Sequence, residues 1–388
     1  MTLTPRPRII GALMGNIRRE PGARTKYGLY FDALLKHYEI TDVVDAKLHG
    51  FDRYLSALIS FSSDQRFWRE RYYKNIFAFK LRSKKLAQKI KKLEKQADLI
   101  LQIGVLFDAG WSEIQLPRII YTDYTAYLAS KSPLAGRSPF NRYELREWIA
   151  LEKGSMESAV HIFTRSEMVR NSIIKDYGIP PGQVTTVGGG VNFCPLPTPV
   201  DQDNSQKTTA LFIGKELFRK GGDLLLNAFA RTRKSVPDAR LLFLTADPIP
   251  SELPLNGVEV IKPTWKRESI AALYRRSHFL VLPSRLETWG DVLLEALGYG
   301  LPCIGVCGQA MEEVIDDHEN GLIVHPENVQ ALAEAMTSLF QNTQLRKCLG
   351  QAAREKAEAE FTWERVVDRS IPVINDAVKM YYRLPHGV

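Results

Sequence analysis

Residues 281–307 read VLPSRLETWGDVLLEALGYGLPCIGVC, an order of residue types that few folds accommodate. The apolar run FLVLP, ending at Pro283, has the composition of a strand buried on both faces. A polar turn from Ser284 to Gly290 follows. Then comes DVLLEALGYG, in which Val292, Leu293, Ala296 and Leu297 recur at helical spacing, with Gly300 and Pro302 as stop signals. A second apolar run, 303–307, closes the unit. Strand, loop, helix and strand make half of a doubly wound α/β sheet, which binds ligands beyond the carboxyl ends of its strands. Glu287 stands in the loop before the helix, and Glu295, eight positions on, stands about a turn and a half into it.

Those residue types suit an anionic sugar derivative. Backbone N–H groups around Thr288, Trp289 and Gly290 point out of a helix N-terminus, where a diphosphate is favourable. Gly290 lets the backbone approach closely because it lacks a Cβ. A carboxylate accepts hydrogen bonds from two hydroxyls at once, so one at each end of the turn can hold a hexose and a ribose. Taken alone, the same pattern also describes a helix cap followed by a solvated carboxylate.

A second strand-turn-helix lies about seventy residues upstream, in TALFIGKELFRKGGDLLL, where Gly214, Gly221 and Gly222 surround Lys215 and Lys220. Cations at such a turn stabilise charge developing on a leaving diphosphate, or form an ordinary surface lysine pair. Together the two segments resemble the retaining nucleotide-sugar transferases of glycosyltransferase family 4. The family's E-[SGT]-[FW]-G-x3-x-E-A pattern is matched by Glu287, Thr288, Trp289, Gly290, Glu295 and Ala296. Its G-R-L-x3-K-G pattern is met with Lys215 on the Arg position and Lys220 on the Lys. The resemblance covers nearly the whole second half with specific motifs and the first half in outline.

The resemblance implies an α/β protein of GT-B fold, with two facing doubly wound Rossmann-like domains. It implies that Glu287 contacts sugar hydroxyls, Glu295 the ribose, and Lys215 with Lys220 the phosphates, assisted by Arg219. Lysine at 215 forfeits the bidentate phosphate contact of arginine. In the first domain, Gly28 stands where the family has a glycine pair. Asp123 matches the Asp of a His-Asp pair whose His is replaced by Thr122. Asp123 also reads as a helix N-cap. No residue stands out as a nucleophile, consistent with front-side transfer in which the departing phosphate helps deprotonate the acceptor. The implied activity moves a hexose from a UDP- or GDP-sugar to an alcohol, glycan or lipid-linked acceptor, without metal or cofactor. A GT-B epimerase or phosphorylase, or a non-catalytic sugar- or membrane-binding relative, remains the alternative, because a fold does not secure a function.

The chain of 388 residues partitions naturally into two domains. The expected bounds are 1–192 for the first, 193–207 for a Pro-rich polar linker, 208–361 for the second, and 362–388 for a C-terminal helix crossing back to the first. Asp201 and Asp203 form a D-x-D, but in a linker it carries no metal expectation. The four cysteines follow no metal-ligand spacing, so reduced thiols and a cytoplasmic setting are expected. No apolar run reaches the roughly 18 residues of a membrane span. The N-terminal apolar run reads as a first strand rather than a signal peptide.

Net charge is +8, yet residues 66–95 alone hold twelve Lys or Arg against Glu70 and Glu94. The spacing of Phe67, Trp68, Tyr72, Ile76, Phe77, Phe79 and Leu81 predicts one long basic amphipathic helix there. It reads first as a packed domain helix with a solvated face. A peripheral contact with an anionic membrane, at the inner face, also fits. No nucleic-acid module is recognisable, so no nucleic-acid partner is expected. The tract 126–157 reads as a long, initially irregular insertion, fit for an acceptor wall or lid. His161 reads as a core histidine.

Overall fold

The computed structural model describes residues 6–112, 114–132, 137–202 and 208–383. They form two compact units: the chain up to Gly188 together with the residues from Val366 onward, and Gly189–Arg365.

The first unit is built on β1 (Arg8–Leu13), β2 (Glu39–Asp45), β3 (Leu99–Ile103), β4 (Arg118–Thr122), β5 (His161–Thr164) and β6 (Val184–Thr186). They form one parallel six-stranded sheet in the order β2-β1-β3-β4-β5-β6. Every residue of β3 and β4 is buried, as continuous apolar runs require when helices cover both faces. Arg118, Thr122 and Gln102 are the polar exceptions, and Gln102 is fully satisfied: its amide donates to the carbonyls of Gly104 and Phe107, and its oxygen accepts from Ala109 N at 2.8 Å. His161 is a packing residue, its Nε2 2.9 Å from Thr185 Oγ1.

The second unit repeats the plan with β7 (Thr209–Ile213), β8 (Arg240–Leu244), β9 (Val258–Ile261), β10 (Phe279–Val281), β11 (Cys303–Val306) and β12 (Gly321–Val324). Its parallel order is β12-β11-β10-β7-β8-β9. The chain runs outward from β7 through β8 and β9, then returns to the other side of β7 as β10. The order therefore reverses between β7 and β10, and the loops leaving these neighbours open the ligand crevice of such a sheet. A doubly wound parallel sheet in each unit is the expected α/β fold. The helix Trp363–Arg383 starts in the second unit, where Trp363 covers Gly190, and continues in the first. There Tyr38 and Tyr382 donate hydroxyl protons to Asn375 Oδ1 and Asp98 Oδ1, at 3.2 and 2.6 Å.

Three expectations need correction. Residues 66–95 are two helices, Gln65–Tyr73 and Ile76–Leu93, with a short 3-10 turn at Glu94–Gln96. Lys74 leaves helical geometry (φ −118°, ψ 73°), and the Asn75 side chain restarts the chain by accepting from Ala78 N at 2.7 Å. The tract 126–157 is mostly helical, as Ala126–Ser130 and Arg142–Glu157, the latter opened by a reciprocal Asn141–Glu144 capping box. Cys307 lies just beyond β11 and is half-buried; all four cysteines are free thiols. Asp203 of the D-x-D lies outside the described residues. Among the described residues no helix is long and apolar enough to cross a membrane.

Helix Arg142–Glu157 buries Glu152 completely. Burial pushes its carboxyl up to about 7, against donation from the Tyr177 hydroxyl, from Trp148 Nε1 at 2.8 Å and from Ala126 N at 3.1 Å. A carboxyl whose folded pKa is raised stabilises the fold fully below its unfolded value, and that contribution is lost as pH rises through the folded value. Glu152→Gln removes this dependence. The stability difference, measured by urea unfolding, is expected to move in the variant's favour by up to about 3 kcal/mol between about pH 5 and pH 8.

Candidate functional site

The loop leaving β7 spans residues 214–221 and carries Lys215, Arg219 and Lys220; the loop leaving β10 spans 282–290 and carries Glu287. Backbone geometry forces the two together. Gly221 adopts φ +70°, and a Cβ there would lie 1.9 Å from the carbonyl oxygen of Pro283. Only glycine permits that approach. Arg285 N donates to Arg219 O at 2.9 Å, tying the loops again.

Across this contact Lys220 Nζ pairs with Glu287 Oε2, and both side chains are almost fully buried. Ser284 Oγ donates to the same oxygen at 3.3 Å. Burial on its own would raise the Glu287 carboxyl, but Lys220 and Arg219 outweigh it and hold the group below the usual carboxylate range. The Glu287 backbone is fixed by Gln309, whose Oε1 accepts from Glu287 N at 3.0 Å, and by Ala310 N donating to Glu287 O at 3.1 Å. Gln309 follows β11, so the ends of three strands converge on the residue Glu287.

Glu295 sits inside the helix Asp291–Gly298, buried, with a different set of partners. Arg267 Nη2 donates to Oε1 at 3.0 Å and the Tyr274 hydroxyl to Oε2 at 2.9 Å. Here burial prevails and the carboxyl is raised, although Arg267 and Tyr274 oppose it. Arg267 also donates to Asn192 O at 3.0 Å and lies 3.9 Å above the Phe193 ring. Two residues earlier in the same segment, the half-exposed Trp265 packs under Lys215, whose ammonium is 3.7 Å from the ring centroid. Residues 265–267 therefore link Lys215 to Glu295, and the four charged groups of the two motifs belong to one end of one sheet.

The helix Asp291–Gly298 begins at Gly290, whose φ of +99° and missing Cβ (Leu293 Cδ1 would lie 2.9 Å away) require glycine. Thr288 is half-buried at this turn. The Trp289 side chain is buried in the core, edge-on to Phe361 at 5.9 Å; the donor contact expected of this residue is through its backbone N–H.

The first-unit candidates belong to the other compact unit. Asp123 follows β4, partly exposed, with Oδ2 3.9 Å from Nη1 of the buried Arg165. That guanidinium lies over the rings of Tyr27 and Tyr121. The Thr122 hydroxyl, in the place of the family's His, donates to Tyr124 O at 3.0 Å. Gly28 is not in the loop after β1 at all. It ends a π-helical turn, Arg24–Gly28, in a continuous helical stretch, and the left-handed glycine of that loop is Gly15.

Sequence reasoning missed Trp265, Arg267, Tyr274 and Ser284. Arg267 alone left a signal: a cation in the first turn of a helix opposes the helix dipole and calls for an acid nearby. Among the described residues no group of three or more His, Cys, Asp or Glu side chains gathers to hold a metal.

Residues 199–356 match the family described as glycosyl transferases group 1. D-inositol 3-phosphate glycosyltransferase of Salinispora arenicola is 24% identical over 310 residues, covering 72% of this chain and 67% of the relative. An uncharacterized glycosyltransferase of Methanocaldococcus jannaschii is 30% identical over 162 residues, covering 40% of this chain and 45% of the relative. Sucrose-phosphate synthase from Thermosynechococcus elongatus superposes with a TM-score of 0.71 at 16% identity, over 97% of this chain and 100% of that one. The Anabaena protein HepE, solved in complex with UDP-glucose, superposes with a TM-score of 0.64 at 14% identity, over 95% and 99%.

Gly221→Ala places a side chain against Pro283 O and asks a residue with a Cβ to hold a left-handed conformation. The expected result is a loss of more than about 2 kcal/mol in chemical unfolding.

Proposed function

We propose that this chain, a glycosyltransferase of GT-B fold, transfers a hexose from a nucleoside diphosphate sugar to an alcohol with retention at the anomeric carbon. The observation that carries the reading is the buried Lys220–Glu287 pair at the strand-order reversal between β7 and β10. A solvated surface pair has no reason to be buried there. An anionic donor gives the cation a use, since the ammonium held by Glu287 meets the diphosphate as it departs.

In this reading the donor's diphosphate lies over the glycines and lysines of the loop 214–221 and the N-terminus of helix Asp291–Gly298. Lys220, Arg219 and Lys215 face its oxygens. Glu287, kept ionised, accepts from sugar hydroxyls. Glu295, with Arg267 and Tyr274 on one lone pair of each oxygen, has acceptor capacity left for the ribose diol. The base lies along residues 263–265, where the Trp265 ring is available. As the anomeric C–O bond to the β-phosphate breaks, negative charge grows on the phosphate oxygen, and fixed cations stabilise it more than they stabilise the intact donor. The acceptor oxygen attacks from the same face and gives its proton to that departing oxygen. UDP-glucose is the donor of first choice, because the HepE structure holds it.

Lys220→Ala should lower kcat with UDP-glucose by at least about a hundredfold, with a smaller effect on KM. Because removing Lys220 leaves a buried anion, the double variant Lys220→Met/Glu287→Gln serves as the folding control. Unchanged kcat in a folded Lys220 variant sinks the proposal. In thermal unfolding, UDP or GDP at a hundred times its Kd is expected to stabilise the wild type by about 2.7 kcal/mol. A lack of response to either nucleotide would contradict the donor assignment.

A further inference from the structure

Among the described residues sixteen large apolar side chains are exposed, and seven of them fall between residues 51 and 73. Scattered exposed apolar residues need no explanation, but a contiguous group does. Helix Gly50–Ile59 presents Phe51, Tyr54 and Leu58, at spacings of three and four, 77%, 73% and 74% exposed. Ile59 and Phe61 continue the ridge around the turn. These residues could not collapse inward without unmaking the turn. Trp68 Nε1 donates to Ala57 O at 2.9 Å, its ring meets Phe61 edge-on at 5.7 Å, and Asp64 caps the helix Gln65–Tyr73. The structure presents an apolar ridge to solvent.

Charge surrounds the ridge. Arg53, Arg66 and Arg69 are exposed on the same two helices. Lys85 of helix Ile76–Leu93 pairs with Asp52, which brings the lysine face of that helix alongside, with Lys84 and Lys89 also exposed. A partner protein face would need matching acids and a fixed outline. A fluid surface with anionic headgroups above an apolar layer matches both the ridge and the cations, because aromatic and leucine side chains enter the headgroup boundary while arginines and lysines stay at its level.

We infer that the ridge Phe51, Tyr54, Leu58, Ile59 and Phe61, flanked by these cations, docks the protein on an anionic lipid membrane. The contact is thus made by an apolar edge within 51–61 and supported by the basic segment 66–95, rather than made by that segment alone. It is independent of the sugar-transfer reading, and residues of the donor site take no part in it.

The test uses the full chain and vesicles of phosphatidylcholine with or without phosphatidylglycerol, read by cosedimentation. The wild type should bind the anionic vesicles and release as salt screens the cations. Phe51→Ser/Leu58→Ser should reduce partitioning at least about tenfold, with melting temperature and UDP binding unchanged, since both side chains are exposed. Arg66→Gln/Arg69→Gln should weaken binding to anionic vesicles about tenfold. A wild type that ignores anionic vesicles overturns the proposal. So does a serine variant that binds like the wild type, or one whose only effect is to dissolve a dimer. A protein that binds vesicles yet binds neither UDP nor GDP leaves the docking surface standing and counts against the transferase reading instead.

Discussion

The second unit is organised by one buried ion pair. Lys220 and Glu287 stand 67 residues apart in the chain and at the ends of adjacent strands in space. Removing either partner would leave an uncompensated charge in a site that water barely reaches, which costs several kcal/mol. The pair therefore constrains its surroundings. Gly221 must pass against Pro283, and Gly290 must turn with a positive φ to start the helix. Gln309 must reach over from the end of β11 to hold the Glu287 backbone. The fold supplies these positions because the strand order reverses between β7 and β10.

A second constraint comes from residues 265–267. An arginine at the first position of a helix faces the positive end of the helix dipole, an unfavourable place for a cation. Its position is repaid by Glu295, by the Asn192 carbonyl and by the face of Phe193. Phe193 in turn meets Tyr274 and Tyr299 edge-on, and those two rings stack at 5.0 Å. Glu295 is thus seated in an aromatic and cationic frame that fixes its carboxylate before any ligand arrives. Fixed acceptors lose less entropy on binding, which is the physical value of such a frame.

How much of this was legible in the sequence follows from the range of each interaction. Strands such as β3 and β4 and the helix after Gly290 were readable, because apolar runs, periodicity and glycine act within a few residues. The break at Lys74–Asn75 was also local, an asparagine cap, yet the amphipathic pattern ran through it and concealed the stop. Gly28 was placed by analogy in a loop, whereas the helix simply continues through it. At Trp289 the motif speaks for the backbone N–H, while the indole side chain is buried in the core for its apolar contact. The Lys220–Glu287 pairing is of long range, so composition and spacing named its members without bringing them together. Arg267 and Tyr274 matched no motif, and only packing revealed them.

The two acids of the E-x7-E pattern are driven in opposite directions from the same starting value, and that difference sorts their capacities. Glu287 has a neighbouring ammonium and a serine hydroxyl, and stays an anion. Such a group accepts strongly from hydroxyls and, beside a cation, adds little net charge to the site. In the proposed transfer that balance matters, since an unpaired carboxylate beside a departing diphosphate would repel the charge that develops. Glu295 lies deeper, with burial outweighing its arginine and tyrosine. A carboxyl under that pressure gains from every further donor it meets, because each hydrogen bond returns part of the hydration that burial removed. A vicinal diol offers two such donors at the spacing of one carboxylate. In the proposed function, the same burial that raises this group favours a ribose diol as its partner.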